Sequence, residues 1–228
     1  APHKQCLDPF PNYRDARPGI SLDYRDAANV VGHQQRSWLV YYCIKAFIES
    51  GGVPLIDLGS AGVPMFGCIS LDLVGNGEVP TYGGKMAGIH IKADAADLSI
   101  FQDGSLSGVI SNHTVEHIRC AKLMGTETAQ EKIRLHCPGT ELLDIFRAHW
   151  LRILRPGGYF CAVIPDDEPA RESKSSVFLQ DPSHCHAWTA NEFYHTLIVP
   201  LVREGLVEVV EHNLWDNHFS FATTLRKP

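Results

Sequence analysis

The sequence predicts one α/β domain that is built on a mostly parallel sheet. Three observations lead to this prediction: the chain has 228 residues, 44% of them are hydrophobic, and seven short apolar runs alternate with helical stretches or crossovers. A chain of this length buries one sizeable core. Strands that alternate with crossover segments pair in parallel, and both faces of their sheet are covered.

The first fifty residues are expected to form an irregular arm and a helical cap, and residues 51–228 the α/β domain itself. Residues 1–22 are polar and rich in proline. From about residue 26 to residue 50, mostly apolar side chains recur every three or four positions, as they do on one face of a helix. These side chains are Trp38, Tyr41, Tyr42, Lys45 and Ile48. The glycine pair at 51–52 then ends the helix.

The seven apolar runs are expected to be the strands of one sheet. The first four cover residues 53–58, 67–73, 88–94 and 107–112. A helix from about Glu141 to Leu154 leads through an Arg-Pro-Gly-Gly turn to a fifth run at 159–165. A second helix near 189–203 starts with the capping-box pattern of Thr189 and Glu192. The last two runs, 206–212 and 219–226, are joined by a short loop, which is typical of an antiparallel hairpin.

Polar residues stand at the ends of the first four predicted strands. They are Asp57, Asp72, Asp94 and Asn112. In an open α/β sheet, ligands bind beyond the carboxyl ends of the strands, near the point where the strand order reverses. The small residues after Asp57 leave the backbone bare, so that a ligand can approach it closely. We therefore expect a nucleotide-like ligand at this edge, although acidic residues also cap strand ends and helix starts where no ligand binds.

Four stretches carry a resemblance to a known family. They read LIDLGSAGVP, ADAADLSIFQDGSLSGVISNHTVEHI, HWLRILRPGGYFCAVIPD and HAWTANEFYHTL. In this order they resemble the class I S-adenosylmethionine-dependent methyltransferases, over most of residues 53–228. The resemblance implies a Rossmann-like, doubly wound, mostly parallel sheet of seven strands with a C-terminal antiparallel hairpin strand. It also implies S-adenosyl-L-methionine as the cofactor and S-adenosyl-L-homocysteine as the product.

The residues that this resemblance assigns to the cofactor follow the strand ends. Those at the methionine end of the cofactor are Asp57, Gly59, Ser60 and Ala61. Asp72 is expected to hold the ribose, and Asp94, together with the backbone N–H of Ala95, to meet the adenine. Asn112 and His113 are expected near the sulfonium and the incoming acceptor.

The methyl acceptor is expected to be a small molecule or a sugar-type compound, methylated on oxygen or nitrogen. Methyl transfer asks the protein mainly to position the acceptor and to exclude water. A hydroxyl acceptor also needs a general base, for which His113 is the first candidate and His186 the second. The net charge of -6 argues against a nucleic acid as partner.

Two alternatives stay open. The stretch from His113 to His117 reads H-x-x-E-H, which on a helix would place two histidines on zinc and let Glu116 polarise a water molecule, as in a zinc-dependent hydrolase. Ala61, where the family usually has glycine, and a shortened loop after it fit a member that binds the cofactor without turnover. The methyltransferase interpretation itself predicts no metal site.

Residues 119–140 form a polar insertion between the fourth strand and the next helix. Long loops at this position are often lids or substrate-binding elements. We expect the insertion to pack over the site and to contribute to acceptor choice.

The cysteines and the hydropathy pattern indicate the compartment. Seven cysteines are scattered without a C-x-x-C pair, which favours free thiols in a reducing cytoplasm. No apolar run approaches the roughly 20 residues of a membrane span. We therefore expect a cytoplasmic protein with no membrane partner, and the sequence predicts no oligomeric state.

Overall fold

The structure is a computed structural model, and it describes residues 38–60, 65, 67–78, 89–118, 140–167, 184–214 and 220–228. The predicted N-terminal arm, Ala61 and most of the predicted insertion lie outside these residues. The same holds for the loop after residue 60, so its predicted shortening is not described either.

The described chain contains the seven strands that the sequence predicts. They are β1 (Leu55–Leu58), β2 (Cys68–Asp72), β3 (Ile91–Lys92), β4 (Leu106–Asn112), β5 (Leu154–Pro165), β6 (Glu208–Leu214) and β7 (Ser220–Arg226). They form one sheet in the order β3-β2-β1-β4-β5-β7-β6. The first five run parallel, whereas β7 is antiparallel to both β5 and β6. The predicted fold class, with its antiparallel C-terminal hairpin, is confirmed.

Two strands differ from their predicted bounds by more than two residues at one end, whereas the other strands differ by at most two. The third strand was expected over 88–94, but its ladder with β2 consists of two pairs, Leu71 with Ile91 and Asp72 with Lys92. The fifth begins at Leu154 rather than 159, because Leu154 already pairs with Leu106 before the Arg-Pro-Gly-Gly segment. The register then shifts between Leu106 and Gly108, which accommodates the extra residues of that turn.

In the described part of the chain, three helices cover the two faces of the sheet. Helix α1 covers 38–49 of the described chain. Helix α2 runs through Thr140–Ile145, a π-helical turn Phe146–Trp150, and Leu151–Ile153. Helix α3 likewise joins Ala190–Phe193, a π-helical turn Tyr194–Ile198, and Val199–Arg203. A short 3₁₀ helix, Val115–His117, follows β4. Within the described part of the chain, no helix is both long and apolar enough to cross a bilayer.

The core has two halves, one on each face of the sheet. Along β5, Phe160 and Ala162 belong to the half beneath α2 and α3, whereas Cys161 and Val163 belong to the half beneath α1. This alternation follows from the two-residue period of a strand. Because both faces are covered, the ligand-accessible part of the sheet is its edge.

Helix α1 buries a stripe that differs from the predicted face. The buried side chains include Trp38, Leu39, Tyr42, Cys43 and Ala46. By contrast, Ile48 is 70% exposed and Tyr41 39% exposed. The helix is anchored at its buried stripe by Glu211 of β6, which accepts hydrogen bonds from Trp38 Nε1 (3.1 Å) and the Tyr42 hydroxyl (2.7 Å).

Candidate active site

The carboxyl ends of β1, β2 and β4 meet at one edge of the sheet. Leu58, the last residue of β1, pairs with Leu71 of β2 on one side and with Ser111 of β4 on the other. The chain order reverses between β1 and β4, because β2 and β3 lie on one side of β1 and the later strands on the other. An open α/β sheet binds its ligands at such a point.

The two buried acids at this edge hold the loops that follow their strands. Asp57 is 2% exposed, and its Oδ2 accepts a hydrogen bond from the backbone N–H of Met65 at 2.8 Å. Asp72 is 4% exposed, and its Oδ1 accepts one from the backbone N–H of Val74 at 3.1 Å. Both carboxylates therefore stabilise the backbone around the strand ends, the edge at which an open α/β sheet binds its ligands.

The turn after β1 is held against both neighbouring strands. The backbone N–H groups of Gly59 and Ser60 both donate to the carbonyl of Leu71 in β2, at 2.9 and 3.3 Å. The Thr114 hydroxyl, which follows β4, donates to the carbonyl of Leu58 at 3.0 Å. Gly59 has φ of 64°, and a Cβ there would lie 2.3 Å from Thr114 Oγ1. Packing against Thr114 thus requires glycine at this position, independently of any ligand.

The predicted adenine contacts differ in exposure. Asp94 is exposed, and its Oδ1 accepts a hydrogen bond from the backbone N–H of Ala96 at 2.8 Å. Ala95 is buried, and its carbonyl accepts one from Trp150 Nε1 at 2.8 Å. The Trp150 contact fixes this segment onto α2, so that its backbone has a defined position beside β2 and β3.

The end of β4 presents a free acceptor and an unusual backbone. Asn112 Oδ1 is buried and has no hydrogen-bond partner in the described chain. His113 has φ of 53°, and among the described residues it is the one non-glycine residue with a positive φ. Its Nε2 lies 3.2 Å from Ser220 Oγ at the start of β7, and its Nδ1 lies 3.5 Å from Glu116 Oε1. The imidazole is 37% exposed, which leaves it accessible to a substrate.

Three side chains converge beside His113. Glu116 is 1% exposed, and its Oε1 lies 3.8 Å from His117 Nε2 and 4.0 Å from His184 Nε2. One nitrogen or oxygen atom from each of the three lies within 4.8 Å of the others. Burial raises the pKa of Glu116, but the neighbouring imidazoles of His113 and His117 outweigh burial and hold that pKa below its usual value. The carboxylate form is therefore favoured although it is buried.

Backbone hydrogen bonds bring this cluster together. The N–H groups of Cys185 and His186 both donate to the carbonyl of Glu116, at 2.8 and 3.1 Å. They tie the segment before α3 to the 3₁₀ helix after β4 and place His184 against His117, with ring centroids 4.6 Å apart. Sequence reasoning missed the cluster, because nothing in the local pattern of either segment indicates the other.

His186 does not have the position that a general base needs. It is fully buried, its ring stacks on Trp188 at 4.5 Å, and its Nε2 lies 2.7 Å from the carbonyl oxygen of Ile118. The predicted second base is thus part of the core.

The helix that the zinc-hydrolase interpretation requires is not formed at residues 113–117. The left-handed backbone of His113 precedes a 3₁₀ helix of three residues, Val115–His117. His113 and His117 are therefore not one helical turn apart on a common face. The hydrolase arrangement, with Glu116 as the residue that activates water between two histidine ligands, is not supported.

Comparisons with solved structures agree with the topology. The fold is a class I methyltransferase fold. One similar structure is a chain of the complex of the Haloferax volcanii Trm112 methyltransferase activator, with TM-score 0.50 and 16% identity over 88% of this chain and 94% of that one. N-methyltransferase NodS from Bradyrhizobium japonicum, in complex with S-adenosylhomocysteine, has a TM-score of 0.49 and 12% identity over 92% of this chain and 94% of that one. The sequence matches no family model and no curated protein.

Proposed function

We propose that the protein binds S-adenosyl-L-methionine and transfers its methyl group to a small-molecule or sugar-type acceptor. The observation that carries this proposal is the set of polar groups at the carboxyl ends of β1, β2 and β4, at the point where the strand order of a class I methyltransferase fold reverses. S-adenosyl-L-homocysteine is then the product.

We assign the residues at the strand ends to the successive parts of the cofactor. The methionine end lies over Asp57, Gly59, Ser60 and Ala61. Asp72, buried at the end of β2, is suited to accept hydrogen bonds from the ribose hydroxyls. Asp94 and the backbone of Ala95 are assigned to the adenine. The unpaired Oδ1 of Asn112 and the imidazole of His113 are assigned to the sulfonium side.

The catalytic contribution of the chain is positioning together with one base. An in-line displacement on the methyl carbon gains most from holding the acceptor in line with the sulfonium and keeping water out. His113 is half-exposed and oriented by Ser220, so we assign it the role of general base when the acceptor is a hydroxyl. An amine acceptor needs no strong base, and His113 then only orients it.

We place the protein in the cytoplasm and propose a small acceptor rather than a nucleic acid. Cys43, Cys68, Cys161 and Cys185 are buried free thiols, which fits a reducing compartment. The net charge of -6 offers little general attraction for a phosphate backbone.

Calorimetry with S-adenosyl-L-homocysteine tests the first half of this function. We expect one site per chain with a dissociation constant in the micromolar range, and adenosine alone should bind more weakly. The absence of binding at millimolar concentration would refute the proposal.

An acceptor screen with methyl-labelled cofactor tests the second half. Methyl transfer to a phenol, sugar or amine is the expected result. Binding of the product without transfer to any acceptor would instead support a member that holds the cofactor without turnover.

A further inference from the structure

We propose that Glu116, His117 and His184 form a binding site for a divalent first-row transition-metal ion, next to His113. Their donor atoms, one from each side chain, lie within 4.8 Å of one another. They come from the 3₁₀ helix after β4 and from the segment that precedes α3. Metal binding itself does not depend on the methyl-transfer proposal.

The state of Glu116 is the first argument for an ion. Its carboxylate is 1% exposed, and neither oxygen accepts a hydrogen bond from the described residues. A carboxyl group that is buried without hydrogen bonds is costly, and proteins keep such a group when it is paired or coordinates a metal. Among the described residues, the nearest side-chain nitrogens are those of three imidazoles, at 3.5, 3.8 and 4.0 Å, which is longer than the roughly 2.7–3.2 Å of an N–H···O hydrogen bond. An ion bound between these groups would satisfy the carboxylate directly.

The spacing of the three side chains is the second argument. Zinc binds imidazole nitrogen and carboxylate oxygen at about 2.0–2.2 Å, so two ligands of a tetrahedral ion are about 3.4 Å apart. The observed separations from Glu116 Oε1, 3.8 Å to His117 Nε2 and 4.0 Å to His184 Nε2, exceed this value only slightly. Small side-chain rotations would close the difference. The backbone hydrogen bonds from Cys185 and His186 to the carbonyl of Glu116 hold the two segments together, so that these rotations do not require the backbone to move.

The ligand chemistry selects the class of ion. Two imidazoles and one carboxylate suit zinc, iron or manganese better than magnesium or calcium, which prefer oxygen ligands. Three protein ligands leave at least one position open, as in catalytic rather than structural zinc sites.

The consequence for catalysis rests on the proposed function. If the protein transfers methyl groups, a bound ion at this site supplies a Lewis acid that lowers the pKa of a hydroxyl placed in its open position. His113, whose Nδ1 lies 3.5 Å from Glu116 Oε1, is next to the proposed ligands and would accept the hydroxyl proton. The inference therefore favours an oxygen acceptor over nitrogen.

Metal titration of tag-free, chelator-treated protein tests the site. Zn²⁺ and Mn²⁺ are added separately, in competition with a fluorescent chelator, and Mg²⁺ serves as the hard-ion comparison. We expect one equivalent of Zn²⁺ per chain, with Mg²⁺ at least about 100-fold weaker. A hundredfold excess of Zn²⁺ over its dissociation constant should raise the melting temperature by about 5 °C or more.

Three variants connect binding to these residues. Glu116→Gln and His184→Ala should each weaken Zn²⁺ binding at least about 100-fold and abolish the thermal shift. His117→Ala should have the same effect. Because the His117 side chain is 32% exposed, removing it disturbs the core less than the other two substitutions do. The matched controls are Glu208→Gln, with a side chain 62% exposed on β6, and His195→Ala, exposed on α3. Both should bind Zn²⁺ as the wild type does.

Two results would overturn the metal site. One is that the wild type binds neither Zn²⁺ nor Mn²⁺ at 1:1 stoichiometry at about 100 µM. The other is that folded His117→Ala binds Zn²⁺ as tightly as the wild type, which would assign binding to other histidines of the chain. S-adenosyl-L-homocysteine calorimetry in the presence of chelator separates this failure from a failure of the proposed cofactor site.

Discussion

At the scale of single residues, His113 combines a costly backbone conformation with an accessible imidazole. A side chain at φ of 53° is disfavoured by about 1–2 kcal/mol, and such residues cluster at functional sites. The backbone N–H of His113 is held by the carbonyl of Val163 at 2.9 Å, so the surrounding sheet enforces this conformation. Glycine adopts it without cost, which makes it the best replacement for removing the imidazole alone.

We predict that His113→Gly keeps the fold and the affinity for S-adenosyl-L-homocysteine but lowers kcat about 100-fold with a hydroxyl acceptor, because a general base is lost. His113→Ala should be less stable than His113→Gly by about 1 kcal/mol, since only glycine relieves the strain. Steady-state kinetics and urea unfolding measure the two effects. An unchanged kcat in His113→Gly would show that His113 is not a general base and only packs. The control is His195→Ala, at an exposed position on α3.

Asp72 is the residue on which cofactor affinity should depend most directly. Charge-assisted hydrogen bonds contribute about 1.5–3 kcal/mol, so Asp72→Ala should weaken S-adenosyl-L-homocysteine binding at least about tenfold. Calorimetry at fixed pH measures the change, and circular dichroism checks that the variant is folded. Asp144→Ala, with a side chain 78% exposed on α2, is the matched control and should bind normally. Equal affinities of the two variants for S-adenosyl-L-homocysteine would show that Asp72 does not bind the ribose.

At the scale of elements, the contact between Gly59 and Thr114 locks the end of β1 to the residues after β4. Thr114 lies close to Gly59 through Oγ1 and Cγ2, at 2.3 and 2.5 Å from where a Cβ would stand. Gly205, after α3, has a similar φ of 70° but nothing within 4 Å of its Cβ position. The two glycines therefore share the backbone cost of a substitution and differ in the steric cost.

We predict that Gly59→Ala costs about 1–3 kcal/mol more stability than Gly205→Ala, because only the first substitution overpacks the site. Adding Thr114→Ala should recover part of the difference, since it removes the two atoms closest to the new methyl group. Chemical unfolding of the wild type, Gly59→Ala, Thr114→Ala and the double variant measures the cycle, and Gly205→Ala is measured beside them. Equal losses in the two glycine variants would contradict the proposed lock.

The start of α3 depends on its capping box. Thr189 Oγ1 accepts a hydrogen bond from the N–H of Glu192 at 3.1 Å, and Glu192 Oε2 accepts one from the N–H of Thr189 at 2.9 Å. Thr189→Ala should therefore lower the free energy of unfolding by about 1 kcal/mol. Thr196→Ala, within the same helix, removes no cap and should change stability less. A larger loss in Thr196→Ala than in Thr189→Ala would contradict the assignment.

At the scale of the whole molecule, His212 links stability to pH. Its Nε2 lies 3.0 Å from the carbonyl oxygen of Ala190 at the start of α3, and its ring packs near Phe221 of β7. His212 thus connects β6 to both elements. Burial lowers the pKa of His212 below 6.5, although the hydrogen bond to Ala190 opposes this effect. The unfolded chain therefore binds more protons than the folded chain just below pH 6.5, and stability falls as the pH decreases through that value.

We predict that the wild type loses more stability than His212→Gln between pH 7.5 and pH 5.5. Glutamine can still donate to the Ala190 carbonyl but does not titrate. Urea unfolding at the two pH values measures the difference, and exposed His195→Ala should keep the wild-type dependence. An identical pH dependence in His212→Gln would show that other groups cause the acid loss.

The sequence by itself determined the elements of this protein. The apolar run of β5, the cap at Thr189 and the short connection before β7 are local patterns, and each structure they predict is present. The strand-end acids Asp57 and Asp72 could also be read from the chain, because a polar residue after an apolar run marks the end of a strand. These features depend on neighbours within a few residues, which a sequence displays directly.

Only the tertiary structure decided how those elements meet. It placed β7 between β5 and β6, shortened β3 to two residues, and buried His186 with its Nε2 against the carbonyl of Ile118. It also brought His184 to Glu116 through backbone hydrogen bonds between segments that are far apart in sequence. Such contacts are fixed by long-range backbone pairing and by the shared burial of side chains, so no local period in the sequence encodes them.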